Sequence, residues 1–184
     1  MGKLHPVIDD ALRAWIATQH VFFVASAPSG DGGHVNCSPR GGNLRVLGPT
    51  TIGWLDRTGS GIETVAHVRQ NGRVVVMLCA FDGPPRIVRL YGSGRVLAAG
   101  TAEFRALLPD FSGPTPGVRA IVRVELTRIA DSCGFGVPLF RFAGERPQLT
   151  KWAEGKGEAG VAAYVREKNA RSIDGLPGLE PGET

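Results

Sequence analysis

The sequence predicts a mainly β (α+β) domain, an antiparallel barrel with flanking helices. Six or so short runs rich in β-branched and aromatic residues follow one another with few helical segments between them. That order suits antiparallel strands and lacks the βαβ units of a doubly wound sheet. Two of the runs fix the pattern. Arg73 to Phe81 (RVVVMLCAF) is apolar almost throughout and reads as a central strand. Arg119 to Arg128 alternates apolar and charged residues and reads as a half-buried one.

Each element then follows in chain order. Val7, Ile8, Leu12, Trp15 and Ile16 recur at helical spacing behind Pro6, a helix opener. Val21 to Ala25 is the first β-rich run. The Gly-rich turn at 29–33 leads to a second at His34 to Ser38, so a hairpin is expected. Leu44 to Leu47 and Thr51 to Asp56 flank Gly48-Pro49 as two short extended runs. Ile62, Val65, Ala66 and Val68 predict a helix that stops at Asn71-Gly72. After the central strand, Pro84-Pro85 breaks the chain, and Arg86 to Leu97 continues as a strand. Thr101 to Leu108 reads as a short helix. From Gln148 to Arg171 the tail is polar, with Leu149, Trp152, Val161, Tyr164 and Val165 at helical spacing. At 184 residues, 42% of them hydrophobic, the chain suits a single domain over 1–184 with a helical tail from about 147.

Composition narrows the function. The net charge of +4 is mild, and no dense basic run occurs, so nucleic acid is not an expected partner. No apolar stretch approaches the ~20 residues that cross a bilayer. The N-terminus lacks a signal peptide's apolar core, so a cytoplasmic setting is expected. Cys37, Cys79 and Cys133 form no CxxC pair, and His5, His20, His34 and His67 are scattered, so no metal site is expected. Cys37 and Cys79 lie in β-rich runs and read as small buried groups, and His67 as a partly exposed helix histidine.

The stretch from Thr51 to Arg69 carries the chemistry. A strand turns through Thr58-Gly59-Ser60-Gly61 into a helix start, which gathers backbone N–H groups, hydroxyls and the positive helix end at one point. Such a loop is either a phosphate cradle or a plain turn with a helix cap. Arg40, held extended behind Pro39, and Arg57, beside the loop, are each a surface arginine or a fork for an anion. Glu63 in the first helical turn complements the dipole.

Asn36-Cys37-Ser38-Pro39-Arg40-Gly41, then Trp54 to Thr64, then Gly83-Pro84-Pro85-Arg86 occur in an order that resembles the pyridoxamine 5'-phosphate oxidase-like family of flavin-binding split barrels. The tail from Glu167 to Leu176 resembles one poorly characterised branch of it. The resemblance implies a six-stranded split β-barrel that dimerises, with one FMN at each end of the subunit interface. Ser38 and Arg40 would line the isoalloxazine ring, Leu55, Asp56 and Arg57 would contact its edge, and Thr58, Gly59, Ser60 and Thr64 would hold the phosphate. Lys168, Asn169 and Ser172 read either as a solvated helix end or as residues closing a pocket over the cofactor. The Arg-x-His pair that true pyridoxamine phosphate oxidases present near the C-terminus is missing, because all four histidines lie in the first 67 residues. The expected function is therefore an FMN-dependent oxidoreductase acting on an unknown small substrate, with no side chain marked as an obligatory acid or base. The alternatives are a deazaflavin- or haem-binding member of the same fold, or a flavin binder or sensor without turnover.

Overall fold

A computed structural model of the chain describes residues 2–42, 44–113, 115–180 and 182–183. Among these, the order is β1 (Leu4–His5), α1 (Asp10–Ala17), β2 (Val21–Ser26), β3 (Asn36–Gly41), β4 (Arg45–Gly48), β5 (Thr51–Arg57), α2 (Glu63–Asn71), β6 (Arg73–Cys79), β7 (Ile87–Ala98), α3 (Ala102–Leu107), β8 (Val118–Ser132) and α4 (Gln148–Lys168). One antiparallel sheet runs β3-β2-β6-β7-β8-β5-β4, with β1 paired to β8.

The sheet curls into a barrel. β2 and β5 lie four strand spacings apart along it, about 19 Å on a flat sheet at ~4.8 Å per strand. Yet Phe22 of β2 and Trp54 of β5 meet edge to face with ring centroids 6.0 Å apart. Around them Val24, Ile52, Val76, Leu78, Leu90 and Val122 fill one interior, and Leu12 and Ile16 of α1 plug it. A second cluster joins Leu55, Leu97 and Ile121 to Phe104 of α3. A third joins Ile62, just before α2, and Val65 of α2 to Val165 of α4 and Leu179, so it fastens the C-terminal tail to α2.

Local signals place the ends. Asp9 caps α1, its Oδ1 accepting from Leu12 N at 2.8 Å. Gly72, at φ 71°, ends α2 in the left-handed conformation that glycine adopts without strain. Three expectations need correction. Among the described residues the sheet has eight strands, not six, in part because β1 is only two residues long and shows no sequence period. The hairpin's second strand starts at Asn36 and runs through Pro39 to Gly41, which is tolerated because β3 is an edge of the sheet. The tail helix is broken at Gly157 (φ 64°). Cys79 is buried as expected, whereas Cys37 is exposed, on the outward side of β3. Among the described residues, no helix is long and apolar enough to cross a membrane.

Candidate functional site

β5 sends Trp54 and Asp56 inward and Leu55 to the opposite face, where it joins the second cluster. Its pairing with β8 shifts register between Asp56 and Arg57, and Thr58 N then bonds Gly117 O at 2.7 Å. That irregularity ends the strand and turns the chain through Thr58 to Gly61 toward α2. Ile62, at the N-cap of α2, supplies no side-chain cap.

Asp56 is the centre of the polar cluster that results. It is wholly buried, with Arg40 Nη1 2.6 Å from one carboxylate oxygen and Arg119 Nε 2.7 Å from the other. Burial pushes its pKa up, but the charges of Arg119 and Arg40 outweigh burial and hold the carboxyl below its ordinary value. Arg119 Nη1 also donates to Asn169 Oδ1 at 2.7 Å, and Asn169 Nδ2 donates to Gly59 O at 3.0 Å. The tail thus reaches back over its own chain and holds the glycine loop.

From the other side, β3 contributes every second residue of Asn36, Ser38 and Arg40. Asn36 Nδ2 donates to Thr64 Oγ1 at 3.0 Å and to Ser38 Oγ at 3.2 Å. Arg40 Nη2 donates to Thr64 Oγ1 at 3.4 Å, and its guanidinium lies 6.0 Å from the Trp54 ring centroid. Two arginines therefore share one carboxylate, which leaves the cluster with an excess positive charge. Among the described residues, two buried donors in it, Arg40 Nε and Thr58 Oγ1, find no hydrogen-bond partner. A Cβ built on Gly59 meets nothing within 4 Å, so open space lies beside the loop. Charge, orphaned donors and space all suit an anion.

Of the residues the sequence singled out, Ser38, Arg40, Asp56, Thr58, Gly59, Thr64 and Asn169 come together. Ser60 is exposed on the same loop. Leu55 turns its side chain to the second core cluster, while Arg57 Nη2 bonds Pro116 O at 3.0 Å and Thr150 Oγ1 at 2.9 Å, tying the loop to the start of α4. Lys168 is exposed and pairs with Glu167. Ser172 is buried and organises the tail turn, its Oγ accepting from Leu176 N at 3.1 Å. Glu63 Oε1 accepts from Ile173 N at 3.3 Å, a second tether from tail to α2.

His67 departs from expectation: it is wholly buried, with Nδ1 3.0 Å from Ser26 Oγ and, among the described residues, no partner for Nε2. Burial pulls its pKa down against the upward pull of Asp174 and Glu63. Arg119 and the hydrogen-bonding role of Asn36 escaped the sequence reading. Asn36 carried a signal, since it shares the alternation of Ser38 and Arg40. Arg119 carried none, because no local pattern couples it to Asp56, 63 positions away.

The profile of the family described as Pyridoxamine 5'-phosphate oxidase matches residues 8–133. A curated relative from Aspergillus flavus, the pyridoxamine 5'-phosphate oxidase family protein ustO, is 38% identical over 198 aligned positions, covering 97% of this chain and 78% of the relative. Among solved structures, HupZ of Group A Streptococcus superposes with a TM-score of 0.50 at 17% identity, over 66% of this chain and 91% of HupZ. A single-substitution variant of HupZ gives 0.51 at 18% identity, over 68% and 99%. The HupZ likeness concerns the fold. With a family match over most of the barrel and close similarity along nearly its whole length, the chain belongs to the pyridoxamine 5'-phosphate oxidase family.

Proposed function

We propose that the chain is an FMN-binding oxidoreductase that works as a homodimer in the cytoplasm on a small substrate. The observation that carries this is the buried cluster with two arginines to one carboxylate and two unpartnered donors, Arg40 Nε and Thr58 Oγ1, beside the Thr58–Gly61 loop. In this reading Thr58, Gly59, Ser60 and Thr64 hold the flavin phosphate. Ser38 and Arg40 line the ring, and Leu55, Asp56 and Arg57 meet its edge, Leu55 through its backbone. FMN, when bound, supplies two-electron redox chemistry. The residues of this chain bind it and set the charge around it. Asp56 keeps the two guanidinium groups in place, and Asn169 fixes the loop through Gly59 O.

A second reading, a flavin binder without turnover, is favoured by one observation. The Asp56 carboxylate at the centre of the cluster is held as an anion between two arginines and is poorly placed to exchange a proton.

The purified protein should be yellow and release FMN on denaturation. Thr58→Val removes a hydroxyl that makes no hydrogen bond among the described residues. It should leave apo stability unchanged and weaken FMN by roughly 10-fold or more, the worth of about one hydrogen bond to a charged group. Parallel titration with a deazaflavin and haemin separates the cofactor alternatives. A colourless protein that also fails to bind added FMN sinks the proposal, and NADPH oxidation by the holoprotein rejects the binder reading.

A further inference from the structure

Away from the Asp56 cluster, the chain forms a cavity of about 1090 Å³ that shares none of that cluster's residues. Its size is slightly above the usual range of small-molecule sites, roughly 300 to 1,000 Å³. Its aromatic walls come from three parts of the chain: Trp15 and His20 around the end of α1, Phe81 between β6 and β7 beside Arg86, and Phe140 and Phe142 on the segment after β8, while Lys3 and the end of β8 complete the lining. That segment has neither helix nor strand from 133 to 147, yet it is pinned. Phe140 N bonds Phe81 O at 2.8 Å, and the two rings meet edge to face at 5.4 Å. Phe142 lies parallel to the His20 ring at 3.7 Å and 4°. The wall is therefore built by specific contacts, and it presents flat rings.

The cavity also has a charge preference. Lys3, Arg86 and Arg141 line it against Asp82 and Asp131. Asp131 is already shared three ways, accepting from Lys3 N at 3.1 Å, His5 Nε2 at 3.0 Å and Arg86 Nη2 at 2.9 Å. Arg86 is held over Trp15, its guanidinium 4.9 Å from the ring centroid, with further N–H groups beyond the one spent on Asp131. A guanidinium anchored over an indole, beside stacked rings, suits a planar acid.

We propose that this cavity is a second ligand site, one that takes planar aromatic anions, a ring system bearing a carboxylate or sulfonate. Arg86 receives the acid group, and Trp15, Phe140 and Phe142 hold the ring. The site stands whether or not the Asp56 cluster binds a flavin, because the two share no residue.

The probe is anilinonaphthalene sulfonate, titrated into the full-length protein by fluorescence beside the neutral dye Nile red. The sulfonate should bind saturably. Arg86→Gln should weaken it at least fivefold and change Nile red less than twofold, and Arg86→Lys should recover part of the loss. Phe142→Ala, at an exposed position, should weaken both dyes at least threefold, with circular dichroism reporting that each variant is folded. Thr58→Val should change neither dye. Equal weakening of both dyes by Arg86→Gln, no effect of Phe142→Ala, or loss of the sulfonate in Thr58→Val would each overturn the assignment. If Arg86→Gln does not fold, Arg86→Lys and Phe142→Ala decide the matter.

Discussion

A carboxylate as fully enclosed as Asp56 is tolerated only because cations meet both of its oxygens. Removing its charge strands two guanidinium groups in a site where they would repel each other. Asp56→Asn should therefore cost about 3–5 kcal/mol, a fall in melting temperature of at least roughly 6 °C for a chain of this size. The pH dependence has a definite sign. The carboxyl's pKa lies below its ordinary value in the folded state, so the folded chain binds fewer protons there than the unfolded one. Stability from this group is complete above the unfolded value of about 3.9 and is lost as pH falls from there through the folded value. Melting curves from pH 6 down to pH 3 should drop steeply for the wild type and less for Asp56→Asn. Parallel curves would mean that the ion pairs contribute nothing to the fold.

At the scale of elements, the tail from Asn169 to Leu179 acts as a strap on the loop and on α2. It does so through Asn169 to Gly59 O, Ile173 N to Glu63 Oε1, and Leu179 in the third core cluster. Asn169→Ala would leave Gly59 O and one donor of Arg119 unpaired. The expected loss is about 1–3 kcal/mol, together with weaker FMN retention. A variant as stable and as yellow as the wild type would show that the strap is passive. The sequence announced the elements better than their partners. The apolar run in β6, the Asn71-Gly72 stop and the Thr58–Gly61 loop declare themselves because their cause is local, in side-chain period and backbone preference. Arg119 reaching Asp56, and Asn169 reaching Gly59 across 110 positions, depend on how the barrel closes, which no window of the sequence contains. The helical period of the tail was legible too. Its break at Gly157 was not, since an isolated glycine in a helix is often accommodated. His67 read as a partly exposed helix residue for a related reason: only the fold of α2 onto β2 brings it against Ser26.

The whole molecule leaves part of the outer face of its sheet, across β3, β2, β6 and β7, outside its three core clusters. Opposite the packed interior, two rows cross four strands. Pro39, Phe23, Met77 and Arg89 pair in one, and Cys37, Ala25, Val75 and Tyr91 in the other. None of these residues belongs to the three core clusters into which the helices direct their buried side chains. A mostly apolar face on a curled sheet is suited to a second copy packed about a two-fold axis. Because Asn36, Ser38 and Arg40 alternate with Cys37 and Pro39 along β3, that packing would set the anion cluster at the rim of the interface. Light scattering should give twice the 19.5 kDa chain mass. Phe23→Asp, which puts a charge at the centre of one row, should halve that mass and lower FMN retention while leaving each barrel folded. A wild type that is monomeric at micromolar concentration and still holds its flavin would refute the dimer, and with it the placement of the site at a subunit boundary.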